Sequence, residues 1–332
     1  MRRLMPGLAA FMVLVNLAGS RAADTRELLI DAWNRRQSSI HSFQFSWTGK
    51  RYARADVAVD PIEARSLDKP VDHGLACETQ MTLTVDEKRR FRFDVHEKVW
   101  AAEKSAYVPK EQIDAFDGPL RRNFFSRGVS TSYPLAFISK HDPPTVLNGI
   151  NSLAITMVYR PFDMMMINRL VPEKIQLSAE QATIDGHPCI IVEQVEGNYG
   201  RRVWADTSRD YVPVRWVSGP DGRRSMQIDI SYSKDAKYGW VPTAWNAGLF
   251  DGPERIEEGW QTITVKYQLN EAIPDSEFQL KYPVGTWIQD YTTKETYILL
   301  KDGKKRPILP GEYNGKNYEE LLHSKPRQPS RS

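Results

Sequence analysis

The stretch "WQTITVKYQL", Trp260 to Leu269, alternates without a break. Ile263, Val265, Tyr267 and Leu269 fall on one side; Thr262, Thr264, Lys266 and Gln268 fall on the other. Successive strand side chains point to opposite faces, so this pattern predicts a strand with one apolar face and one wetted face. Such a strand belongs in an antiparallel sheet, because parallel strands are covered on both faces. The same texture recurs outward along the chain. "SFQFSWTGK" puts Phe43, Phe45 and Trp47 on one face. "MTLTVDEKRRFRFDV" reads as a hairpin, with Met81, Leu83 and Val85 before a charged turn and Phe91, Phe93 and Val95 after it. "CIIVEQV", "RRVWAD", "YVPVRWV", "SMQIDISY" and "GWVPTAW" follow. Turn signals at Asp185-Gly186, Gly219-Pro220-Asp221-Gly222 and Lys237-Tyr238-Gly239 separate these runs, predicting a meander of about nine to eleven strands. No strand–helix–strand rhythm is present, which argues against a doubly wound α/β fold.

A helix should precede the sheet. Asp24 and Glu27 stand at capping-box spacing, and Leu28, Leu29, Ala32, Trp33 and Ile40 recur at helical spacing. Residues 132–172 are apolar but broken by prolines at 134, 143, 144, 161 and 172, which predicts two or three short helices. These helices either plug the sheet or form a lid in which Met164, Met165 and Met166 adapt to a ligand. After the alternating strand, Pro274 blocks further central pairing, Asp275 and Ser276 cap a short turn, and Phe278 and Leu280 dock on the apolar face. Residues 291–324 form an extension with a hairpin around Asp302-Gly303, and 325–332 a disordered tail.

The first 22 residues carry the parts of a secretory signal: Arg2 and Arg3, an apolar run from Leu4 to Leu17, then Ser20 and Ala22 at a cleavage point. The apolar run is shorter than the roughly 20 residues that span a bilayer. Location in the periplasm or cell envelope is the expectation. The whole chain has 45 Lys+Arg and 42 Asp+Glu, and the leader holds Arg2, Arg3 and Arg21 but no acid. The remainder is formally neutral, which gives no electrostatic reason to expect nucleic acid as partner. The doublets Arg89-Arg90, Arg201-Arg202 and Arg223-Arg224 read as solvated strand ends. Cys77 and Cys189 either pair in an oxidising compartment or stay as buried thiols.

Nucleophile-elbow, phosphate-loop, dinucleotide and zinc-protease patterns are absent. The six histidines are dispersed, and His73 with Cys77 lies in a loop-like stretch. Glu257-Glu258 could work as an acid and base, but adjacent positions on a strand face opposite ways, so a solvated turn is the plainer account. His187 near Cys189 suggests an activated thiol, against the simpler reading of a strand start after a turn. No catalytic residue, metal or cofactor is expected.

Several stretches in order resemble the lipoprotein-carrier superfamily of cell envelopes, the LolA/LolB-like and RseB/MucB-like proteins. They are "LLIDAWNRRQSSIHSFQFSW", "IDGHPCIIVEQ", "RRVWADTSRDYVPVRW", "GWVPTAW" and "NEAIPDSEFQLKYPVGTWIQD". The resemblance covers residues 23–290, with the insert at 132–172. It implies an α+β fold in which a strongly curved antiparallel sheet, an open or half barrel, encloses the N-terminal helix and short central helices. It also implies a non-catalytic protein with an apolar cavity for acyl chains, lipid or lipoprotein. Phe43, Phe45, Trp47, Phe91 and Phe93 would line that cavity, with Met164, Met165 and Met166 on its lid. The alternatives are an RseB-like envelope sensor or interaction module, and a secreted enzyme.

Overall fold

The computed structural model describes residues 24–53, 77–101, 106–127, 132–140, 150–163, 169–220, 225–251, 255–309, 311–312 and 317–324. The leader, Met164 to Met166 and His73 lie outside them. The chain divides into two compact units, Met1–Ile40 with Leu147–Arg255, and His41–Val146 with Ile256–Ser332.

The second of these is the larger. Its strands β1 (Phe43–Ala53), β2 (Cys77–Val85), β3 (Phe91–Ala101), β4 (Ala106–Phe116), β5 (Arg121–Phe125) and β6 (Leu135–Ser139) pair in sequence as antiparallel neighbours. The other unit contains helix α1 (24–39), helix α2 (Ile150–Tyr159) and strands β7 (Gln176–Ile184), β8 (His187–Glu196), β9 (Tyr199–Asp206), β10 (Val212–Pro220), β11 (Met226–Asp235) and β12 (Gly239–Asp251). These six strands are an antiparallel meander in chain order. The chain then returns to the larger unit as β13 (Arg255–Leu269), β14 (Trp287–Asp290), β15 (Glu295–Leu299), β16 (Lys305–Pro307) and helix α3 (Tyr318–His323). There β13 pairs with β1, while β14 joins β6 in a parallel pairing and carries β15 and β16 beyond it.

The described residues are thus mostly strand, and they hold 16 strands rather than nine to eleven. The additions are β4 to β7 and β14. Within 132–172 the expected run of short helices becomes one strand (β6), one helix (α2) and one 3-10 turn, Pro172–Lys174. The predicted hairpins at 81–95 and 295–307 form as read, with Asp302 and Gly303 at φ 56° and 70° in the second turn.

In the smaller unit, α1 buries Leu29, Ala32 and Trp33 but leaves Leu28 55% exposed, so its stripe is narrower than the spacing suggested. Trp33 donates its indole N–H to the Tyr211 carbonyl at 2.6 Å. Arg160 Nη1 donates to the Ile40 carbonyl at 2.7 Å, serving a backbone acceptor just past the end of α1. Helix α2 is mostly apolar and carries no charged residue, and it packs on β10, β11 and β12. A helix without a polar face must be buried, and Leu153, Ala154, Ile155, Met157, Val158 and Tyr159 are. Cys189 is a buried free thiol; the side chain of Cys77 is outside the described residues.

Strand β13 is interrupted once in its pairing with β1. Thr48 pairs with Thr264 but Gly49 pairs with Thr262, so Ile263 is the extra residue of a β-bulge. The bulge reverses the alternation: Thr262 is 9% exposed and Ile263 55%, which corrects the inward assignment of Ile263. Glycine is required opposite, since a Cβ on Gly49 would sit 2.7 Å from the Gln261 carbonyl oxygen. Ile263→Asp should therefore change stability by less than about 0.5 kcal/mol. Leu269→Asp, on a side chain 2% exposed, should cost about 3 kcal/mol or more. Equal shifts of the two urea midpoints would reject this register.

Candidate functional site

Strands β13, β1, β2 and β3 carry one apolar face in three rows. Directly opposed residues share a face, so the register stacks Leu269, Phe43, Val85 and Phe91 in one row. The second row is Tyr267, Phe45, Leu83 and Phe93, and the third is Val265, Trp47, Met81 and Val95. The structure thus brings together Phe43, Phe45, Trp47, Phe91 and Phe93, as the alternation predicted. Phe45 stacks on Tyr267 with centroids 5.8 Å apart, and Trp47 on Phe93 at 6.0 Å. Burial is graded across the face. Phe43, Phe45 and Phe91 are at most 1% exposed and act as core, whereas Phe93, Val95, Val265 and Tyr267 are half-buried. Only the two flanks of the face, Phe93 and Val95 on β3 and Val265 and Tyr267 on β13, are within reach of a ligand, with Phe45 and Leu83 closed off between them.

The opposite face is polar at β1 and β2, where Gln44 donates to Thr84 and Ser46 bonds Thr82, both at 3.0 Å. At β3 it carries a buried ion pair, in which Arg92 Nε bonds both Asp94 oxygens at 3.0 and 2.9 Å. A second buried pair borders the aromatic face itself: Asp114 is directly opposed to Phe93, and Arg121 grips it at 3.0 and 2.8 Å. Burial pushes both carboxyls above their ordinary range against the pull of those arginines. A cavity of about 720 Å³ also opens in this unit, and its lining was not foreseen. It includes Glu78, Gln80, His96, Lys98, Glu111 and the bulged Ile263. His96 Nδ1 lies 3.8 Å from Glu111. Charged walls of both signs suit a polar ligand, not an acyl chain.

The weaker chemical candidates find quieter roles. Burial, then the Asp206 carboxylate, pushes the Cys189 thiol up, which removes the thiolate that nucleophilic work needs. His187 Nδ1 lies 3.2 Å from Ser208 Oγ, and that hydroxyl donates to Asp206 at 2.7 Å. The serine proton is therefore committed to the carboxylate. Glu257 and Glu258 lie inside β13 and not in the expected turn; their side chains are outside the described residues. Among the described residues, no group of three His, Cys, Asp or Glu could hold a metal ion.

No family model matches the chain, and no curated protein matches it. Among solved structures it is similar to PNGF-II, at 10% identity over 76% of this chain and 32% of that one, with a TM-score of 0.25. It is similar also to MucB in its complex with MucA(peri), at 10% identity over 78% and 60% and a TM-score of 0.28. A porin-like protein from Bacteroides uniformis gives 8% identity over 70% and 98% and a TM-score of 0.25. The chain spans about a third of the PNGF-II chain and three fifths of the MucB chain. Each is a distant likeness of fold.

Proposed function

We propose that this chain is an exported, non-catalytic binding protein whose aromatic sheet face takes an acyl chain, presented by a lipid or an acylated protein. One observation carries the reading: aromatic side chains from β13, β1 and β3 share a face that is closed at its centre and half-open at its two flanks, Tyr267 on β13 and Phe93 on β3. An apolar concavity with few polar groups is the physical form of a small-molecule site. Export rests on the leader, and N-terminal sequencing of the secreted form should begin at Ala23.

The direct test is a fluorescent fatty-acid probe titrated into purified protein, with native mass spectrometry of the envelope-derived form beside it. Phe93→Lys places a charge at the half-open edge, where it must be desolvated for the chain to seat, so probe affinity should fall about tenfold or more. The thermal midpoint should hold, because Phe93 is only half-buried. A folded Phe93→Lys that binds like wild type, or a wild type that binds no apolar probe, would end this reading.

A further inference from the structure

In the smaller unit, β8, β9 and β10 bury a cluster of polar side chains on one face. The register sets Gln194 opposite Arg201 and Arg201 opposite Ser218. One row along, Val192, Val203, Trp216 and Ile228 oppose one another. Gln194 and Trp216 are 1% exposed and Arg201 7%. Three N–H donors in this patch have no hydrogen-bond partner: Gln194 Nε2, Arg201 Nε and Trp216 Nε1. The remaining groups of the same side chains are engaged. Gln194 Oε1 accepts from the Val171 amide at 2.7 Å, and Arg201 Nη1 bonds Glu196 Oε2 at 3.3 Å. The Ser218 hydroxyl accepts from Tyr199 at 3.1 Å.

Buried donors without acceptors are rare, because each costs its full desolvation. Three on neighbouring positions, one of them cationic, form an arrangement that an acceptor with negative charge completes. We infer that Gln194, Arg201 and Trp216 form a binding site for the carboxylate of an aliphatic monoacid. A carboxylate offers two oxygens and about four lone-pair directions, which three donors satisfy. A phosphate dianion brings more charge than one guanidinium already shared with Glu196 can neutralise. The adjoining row is Val192, Val203 and Ile228, each at most 1% exposed, which sets an apolar wall beside the charge and favours an aliphatic tail. The inference stands apart from the aromatic face, which belongs to the other unit.

Calorimetric titration of the full chain with octanoate, octanol and inorganic phosphate tests it. Octanoate should bind at least about tenfold more tightly than either comparator, since a hydrogen bond to a charged group is worth that factor or more. Trp216→Phe keeps the ring and removes one donor; Gln194→Leu removes another. Each should weaken octanoate about tenfold with the circular dichroism spectrum unchanged, and if one variant fails to fold, the other carries the test. Every titration is repeated in Phe93→Lys, which removes acyl binding on the aromatic face, so the octanoate binding that persists there reports this site alone. Equal affinity for octanoate and octanol, a preference for phosphate, or no binding would overturn the site. So would unchanged octanoate affinity in the folded donor variants, or its loss in Phe93→Lys.

Discussion

Arg306→Met is expected to lower stability by about 3–5 kcal/mol, among the largest effects of any single substitution in this chain. Arg306 and Glu312 meet as a bidentate pair, Nη1 to Oε2 at 3.0 Å and Nη2 to Oε1 at 2.9 Å. Their side chains are 3% and 1% exposed. The guanidinium also donates to Ser324 Oγ at 2.9 Å and the Pro307 carbonyl at 3.0 Å, and Glu312 accepts from the Leu309 amide at 3.0 Å. Together these bonds tie β16 to the residue that ends α3, beside the cluster of Leu135, Trp287, Ile298, Ile308 and Leu321. Truncating the arginine leaves a carboxylate in that setting without its counter-charge, and the penalty comes from the stranded charge more than from the lost attraction. Arg306→Met/Glu312→Leu removes both charges and should recover most of the loss. Urea midpoints for the two singles and the double would close the cycle. A single variant within 1 kcal/mol of wild type would mean that water reaches the pair.

What the sequence made legible follows from where alternation survives. Strands β1 to β3 and β8 to β13 each bury one face, so period-two patterning marked them. Strand β7, "QLSAEQATI", ends its meander and is wetted on both faces, and its register shifts between Leu177 and Gln181, so no pattern was left to read. Strand β6 is a five-residue apolar run, too short to tell from a buried helix by periodicity. Strand β14 forms through parallel pairing to β6, a contact some 150 positions apart that no local signal encodes. The aromatic face was readable because its members are large and evenly spaced. The donor cluster was missed through the Arg201-Arg202 doublet, taken as a solvated strand end. Arg201 is buried and Arg202 half-exposed. The signal was present: adjacent strand residues face opposite ways, so an inward Val203 requires an inward Arg201.

The segment after β13 supplies the second large effect. Its 3-10 turn, Asp275–Phe278, places Phe278 at 0% exposure, and Leu280 and Tyr282 then pack against Ile113, Phe124, Ala136, Ile288 and Tyr297. Two kinds of force could hold it. Arg90, fixed by Asp86 at 2.7 Å, pairs with Asp275 at 2.7 Å and lies over the Phe278 ring at 4.5 Å. Arg92 Nη1 adds a bond to the Glu277 carbonyl at 3.2 Å. The Asp275 side chain is 75% exposed, so its ion pair is screened, and Asp275→Asn should change stability far less than loss of the ring does. Phe278→Ala deletes a fully buried ring and should cost about 3–5 kcal/mol. Acid separates the two contributions further. The hydrogen bond from Arg90 holds the Asp275 carboxyl below its usual range, so its contribution is present above the ordinary carboxylate pKa and is lost as pH falls through the lowered one. Wild type and Asp275→Asn should therefore converge in acid, while the Phe278→Ala deficit should persist at every pH where the protein folds. A Phe278→Ala loss no larger than that of Asp275→Asn would mean that charge, and not the ring, fastens this segment to the sheet.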